Sequence, residues 1–239
     1  MPREDCARDC AGLAFPSIVV EPVLRTFTYA VLALGAAAVA GALGHDPLTT
    51  RSALGLSGPF ALATSVVMGA LFAAATIVTT RVMLRTQPWA RTLHADLRPA
   101  VRHATERGIV VTALASGIAE ELVFRGLLVP VVGVVLSSVA FGLLHQVRGK
   151  ARWAWAAWAG ITGLFLAGIF VLTGSLAGPV LAHVAINIVN LRHLRDTDVG
   201  GSSTERARGR LGGVFTARGE TARPTASARA HASPSARRA

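Results

Sequence analysis

Charge is what this sequence has least of for its length. Of 239 residues only 15% are charged, and acidic groups are the scarcer kind, 13 against 24 basic ones. A soluble globular surface needs more than that, so the composition argues against a water-soluble domain. The net charge of +11 could suggest a nucleic-acid partner. The basic residues, however, fall in loops and in the tail between apolar runs, which membrane topology explains and nucleic-acid binding does not. Cysteine is scarcer still. Cys6 and Cys10 are the two in the chain, and no histidine pair stands at zinc-finger spacing from them. This excludes a disulfide scaffold and leaves two free thiols on a cytosolic segment. The first 22 residues mix acids, bases and prolines, without the basic-then-apolar order of a cleavable leader. Internal repeats are absent as well, which weighs against a transporter built from two symmetric halves.

What is present is hydrophobic: 52% of residues are apolar, with a mean hydropathy of +0.50. Phe27–Leu43, Phe60–Thr79, Trp153–Leu172 and Leu176–Leu194 read as membrane spans. Between them, Gly108–Leu144 is broken at Pro130 and Gly133 and reads as two more. With six spans, the basic segments 81–107, 148–152 and the tail all lie on one side, as the positive-inside rule requires. The expected fold is therefore all-α: a polytopic transmembrane bundle of about six helices with both termini cytoplasmic. Residues 1–26 form a polar N-terminal segment, 27–195 the helical domain and 196–239 a disordered basic tail. Trp153, Trp155 and Trp158 open the fifth span as an aromatic belt at headgroup level.

Ionisable groups at membrane depth are expensive, at least about 2.5–3.5 kcal/mol each on insertion scales. Glu120, Glu121 and Arg125 sit within six residues in the third span. Glu121 and Arg125 are four apart and can pair on one helix face. Glu120 points roughly 100° away and has no local partner. Two further spans carry His145 and the His183/Asn187 pair. One carboxylate, two imidazoles and an amide can form a hydrolytic cluster: a base for water, rings to hold it, and a donor for an oxyanion. A zinc ion on Glu120, His145 and His183 is the neighbouring arrangement, although the His-Glu-x-x-His pattern of soluble metalloproteases is absent. Depth arithmetic raises one difficulty. At about 1.5 Å per residue, Glu120 and His183 fall roughly 18–20 Å from the cytoplasmic face, whereas His145 falls at roughly 10 Å.

Glu120-Glu121-x-x-x-Arg125, Phe141-x-x-x-His145 and His183-x-x-x-Asn187 together resemble the three-motif signature of the CPBP (Abi) intramembrane proteases. That family includes the type II CAAX prenyl endopeptidases and bacteriocin-processing or immunity proteins. The resemblance covers about residues 108–191. It implies an intramembrane endopeptidase in which Glu120 activates water and His145 helps to position it. His183 and Asn187 would stabilise the oxyanion, and Glu121 and Arg125 would support the site. The implied partners are the bilayer and a membrane-associated peptide or protein, with no nucleic acid. The rival reading is a non-enzymatic immunity or scaffold protein of the same fold.

Overall fold

The computed structural model describes residues 20–145, 147 and 149–199. Cys6, Cys10, Arg148 and the basic tail beyond Val199 lie outside the described residues. What is described is helical: α1 (Val20–Ala42), α2 (Gly58–Thr86), α3 (Pro88–Leu97), α4 (Glu106–Glu121), a π-helical turn (Leu122–Leu128), α5 (Val129–Leu144), α6 (Arg152–Thr173) and α7 (Ala177–Asp196). Its one β-type pairing is a bridge between Thr49 and Ser175.

The helix ends follow their local sequence. The Thr105 side chain accepts a hydrogen bond from the Gly108 N–H at 3.1 Å and caps α4. Prolines occupy the first turns of α2, α3 and α5, where the missing N–H costs nothing. Gly174 ends α6 in the left-handed conformation, φ 74°. The loop between α1 and α2 then packs on that end, its Thr50, Ala53 and Leu54 N–H groups bonding to the carbonyls of Gly174, Val171 and Leu172. Within this loop Asp46 accepts from the Leu48 N–H and the Thr49 hydroxyl, which hold its carboxylate below the usual range.

The bundle is apolar outside and polar inside. Leu34, Phe60, Leu71 and Val135 are largely exposed, while Ser65, Glu121, Arg125, Ser137 and Thr173 are buried. In water this would be an inverted protein; in lipid it is the expected arrangement, and the protein is an integral membrane protein. Four stretches are long and apolar enough to cross: Leu24–Ala42, Gly58–Thr86, Glu106–Leu144 and Arg152–Thr173. The third is 39 residues long, about twice what one crossing needs. It doubles back at Gly133, whose φ of 84° and ψ of 170° break the helix, a conformation open to glycine. The Ser137 hydroxyl consequently donates to the Phe124 carbonyl at 2.7 Å across the hairpin. Helix α7 fails the apolarity test because it carries His183, Asn187, Asn190 and Arg192. It packs inside the bundle against α2 and α4.

Small residues let these helices close on one another. Gly69 of α2 faces the Gly178 backbone of α7, and Gly117 of α4 lies under Val184. The Ser65 hydroxyl donates to the Ser175 carbonyl and accepts from the Gly178 N–H, both at 2.9 Å. A Cβ on Gly178 would stand 2.6 Å from the Ser65 carbonyl carbon, which cannot move aside. Gly178→Ala should cost about 1–3 kcal/mol of overpacking, visible as a lower melting temperature in detergent. Gly35→Ala on α1, with nothing within 4 Å, is the control and should melt like the unmodified protein. Equal melting of the two variants would mean that α2 and α7 are not in backbone contact.

Two sequence expectations change here. The basic stretch after α2, expected as a connection between spans, contains a helix, α3, and His94 on it is buried. The His94 Nε2 lies 2.8 Å from the Thr197 carbonyl, so a tertiary contact decides its placement. The tryptophan belt also divides. Trp153 is exposed beneath the Arg152 guanidinium, whereas Trp155 and Trp158 line internal cavities. At 3.6 residues per turn, positions 155 and 158 share a face that 153 does not.

Candidate active site

The hairpin formed by α4, the π turn and α5 brings the end of α5 back to the Glu-Glu pair. Glu120 precedes Gly133 by 13 residues and His145 follows it by 12, so the two arms are nearly equal. His145 Nε2 accordingly stands 3.4 Å from Glu120 Oε2. This corrects the depth arithmetic, which measured Glu120 from the start of α4. From Glu106 to Gly133 the first arm would be about 40 Å long at about 1.5 Å per residue, longer than the roughly 30 Å hydrocarbon core. Measured from the shared turn, the two residues are level. His183 arrives from α7, with its Nε2 3.8 Å from the same Glu120 oxygen. Three helices thus converge on Glu120 Oε2, which is buried and has no hydrogen-bond donor among the described residues.

The outer nitrogens fix the rings. His145 Nδ1 lies 2.8 Å from the Phe141 carbonyl. A carbonyl only accepts, so the proton is on Nδ1. His183 Nδ1 lies 2.7 Å from Glu121 Oε1, an oxygen that also accepts from Arg125 at 2.8 Å. Here too Nδ1 is the donor. In their neutral forms both rings therefore turn an Nε2 lone pair toward Glu120.

Around this centre the polar groups are tied down one by one. Glu121 and Arg125, joined as their spacing suggested, are 0% and 1% exposed, so neither charge has water to fall back on. Arg125 spans further than its helix, donating to the Gly163 carbonyl of α6 at 3.0 Å. Its guanidinium lies 4.6 Å from the centroid of Phe141, and the same ring sits 4.2 Å from the His145 ring. Gly163 has no side chain because Phe141 and Arg125 occupy that space, at 3.0 and 3.2 Å from where a Cβ would be. Asn187 is one turn beyond His183, and its Nδ2 donates to the Ser116 hydroxyl at 3.2 Å rather than to Glu120. Ser116 gave no signal in the sequence, since an isolated serine in an apolar helix is common.

Two cavities meet at His145. One, of about 210 Å³, is lined by His145, His183 and Asn187 with Trp155 and Trp158. The other, of about 380 Å³, opens on Glu120 and His145 from the α1 side. For a zinc ion, two imidazoles and a carboxylate are suitable donor types. Among the described residues, however, no group of three or more such side chains is arranged to hold a metal ion.

Fold and site together define a helical integral membrane protein in which three helices bring together the half-buried Glu120 and His145 and the buried His183. Residues 107–189 match the family described as Rce1-like, type II CAAX prenyl endopeptidase Rce1-like. The match holds the whole cluster from Glu120 to Asn187, in agreement with the resemblance carried by the three motifs. That family is one of proteases. No curated protein and no solved structure matches the chain.

Proposed function

We propose that this protein is an intramembrane endopeptidase that hydrolyses a peptide bond of a membrane-associated peptide with a water activated by Glu120. The observation that carries the reading is the meeting of Glu120 Oε2 with two imidazole Nε2 atoms at 3.4 and 3.8 Å. Three acceptors around one point suit a water molecule, which brings two protons to share among them. Glu120 takes one proton as the water oxygen attacks the scissile carbonyl carbon. It returns that proton to the leaving amine when the C–N bond breaks. His145 and His183 orient the water, and the Glu121 carboxylate on His183 Nδ1 holds the ring's tautomer and steadies an imidazolium if one forms. Asn187 has a second amide N–H besides the one on Ser116, and that donor serves the oxyanion.

The substrate chemistry suggested by the family description is a prenylated CAAX-type C-terminus. The Trp155- and Trp158-lined cavity beside the imidazoles is apolar enough to receive such a chain. The test is cleavage of a farnesylated CAAX peptide by the protein purified in detergent, with products mapped by mass. A single cut at one bond, abolished in Glu120→Gln, supports the reading. Specific binding of the peptide without any product would favour the scaffold alternative.

The domain plan of 27–195 as the membrane-embedded part and the cytoplasmic placement of both ends belong to this proposal. Reporter fusions after Gly55, Arg98, Gly149 and Gly174 should read outside, inside, inside and outside. A fusion at Gly149 that reads outside would reverse the hairpin and sink the topology.

A further inference from the structure

The cavity of about 380 Å³ on the α1 side is lined by Tyr29, Leu32, Ala119, Glu120, Val123, Phe124, Leu144 and His145. Apart from Glu120 and His145, all of these are apolar except one. Tyr29 is the single tyrosine of the chain, and it stands in α1, outside the family-matched segment 107–189. Its phenol is half-buried and lies within electrostatic range of the Glu120 carboxylate, without a hydrogen bond to it. Neighbours on the same helix, Phe27 and Val31, are exposed and apolar, as a lipid-facing helix requires. A phenol among apolar side chains is costly unless its O–H finds a partner.

We infer that Tyr29 is a substrate-binding residue, donating its hydroxyl to a backbone carbonyl of the peptide next to the scissile bond. This rests on the endopeptidase reading above. An extended peptide entering an apolar cavity brings carbonyls that lose their water, and each needs a donor. Glu120 is an acceptor, and His145 donates its ring proton to the Phe141 carbonyl. Among the side chains lining this cavity, the Tyr29 hydroxyl is therefore the donor left to serve the peptide. Because a backbone carbonyl flanking the scissile bond does not change charge during hydrolysis, the contact is equally strong in ground and transition states. Its loss weakens binding rather than chemistry.

The test is Tyr29→Phe, which keeps the ring and removes the oxygen. Binding is read first, in a Glu120→Gln background that cannot turn over, as the Kd of a fluorescent farnesylated CAAX peptide. The Kd should rise about tenfold, the equivalent of one hydrogen bond at about 1.4 kcal/mol, with the melting temperature unchanged. In the otherwise unmodified enzyme, Tyr29→Phe should raise KM by a similar factor and leave kcat within about twofold. An unchanged Kd overturns the inference, as does an absence of peptide binding to either form. A fall in kcat at constant KM overturns it too, by assigning the hydroxyl to the reacting atoms. Should the Tyr29 effect on binding appear while the unmodified protein never cuts the peptide, the endopeptidase reading fails and the Tyr29 contact stands.

Discussion

Glu120→Gln should leave the protein folded and remove peptide cleavage altogether, the largest kinetic effect of any single change in this chain. The substitution is close to isosteric, and among the described residues the Glu120 oxygen that meets the imidazoles makes no hydrogen bond that an amide would forfeit. What it loses is the capacity to accept a proton from water. It also places an amide where a carboxylate faced two lone pairs 3.4 and 3.8 Å away. An amide nitrogen can donate to those Nε2 atoms, so the variant should be at least as well packed as the original. Melting temperature should therefore stay level while turnover falls below detection. His183→Ala should be comparably damaging, and the double variant little worse than either single one, because groups that act as a unit are not additive. Measurable turnover by Glu120→Gln, at even a tenth of the original rate, would mean that another base takes the proton.

The expensive parts of this fold were visible in the sequence, and the inexpensive ones were not. Two carboxylates and an arginine in an apolar run cannot be incidental, so Glu120, Glu121 and Arg125 announced a buried site before any coordinates. The break at Pro130 and Gly133 likewise announced a hairpin, because a left-handed backbone in a hydrophobic run leaves few alternatives to glycine. The level of His145 could not be read, since it depends on where the turn lies and not on where the helix enters the membrane. Contacts made by backbone atoms leave no mark on composition. The Gly163 carbonyl that accepts from Arg125 and the Phe141 carbonyl that fixes His145 are of this kind. Ser116, the partner of Asn187, was hidden for a different reason: a hydroxyl in a membrane helix can bond to its own preceding turn and needs no function. Tyr29 fell outside the motif-bearing segment, and only the cavity it shares with Glu120 gives it a role.

Arg125→Ala should produce the largest loss of stability. Arg125 is 1% exposed and holds three things together: Glu121 at 2.8 Å, the Gly163 carbonyl at 3.0 Å and the face of Phe141 at 4.6 Å. Removing it strands a carboxylate that is 0% exposed, with His183 as its remaining partner among the described residues. Breaking a buried pair in this way is typically worth about 3–5 kcal/mol. Melting temperature in detergent and yield in membranes should both drop, and cleavage should fail because His183 loses the carboxylate geometry that orients it. The charge itself can be separated from the lost packing. Glu121→Gln in the Arg125→Ala background removes the stranded charge, and should restore part of the stability but none of the activity. The two changes would then be strongly non-additive, as expected of residues in one network. Arg125→Lys keeps a cation but not the fork that reaches Glu121 and Gly163 together, and should fall between the two. An Arg125→Ala protein that melts like the original but does not cut would show that the guanidinium serves the substrate instead of the fold.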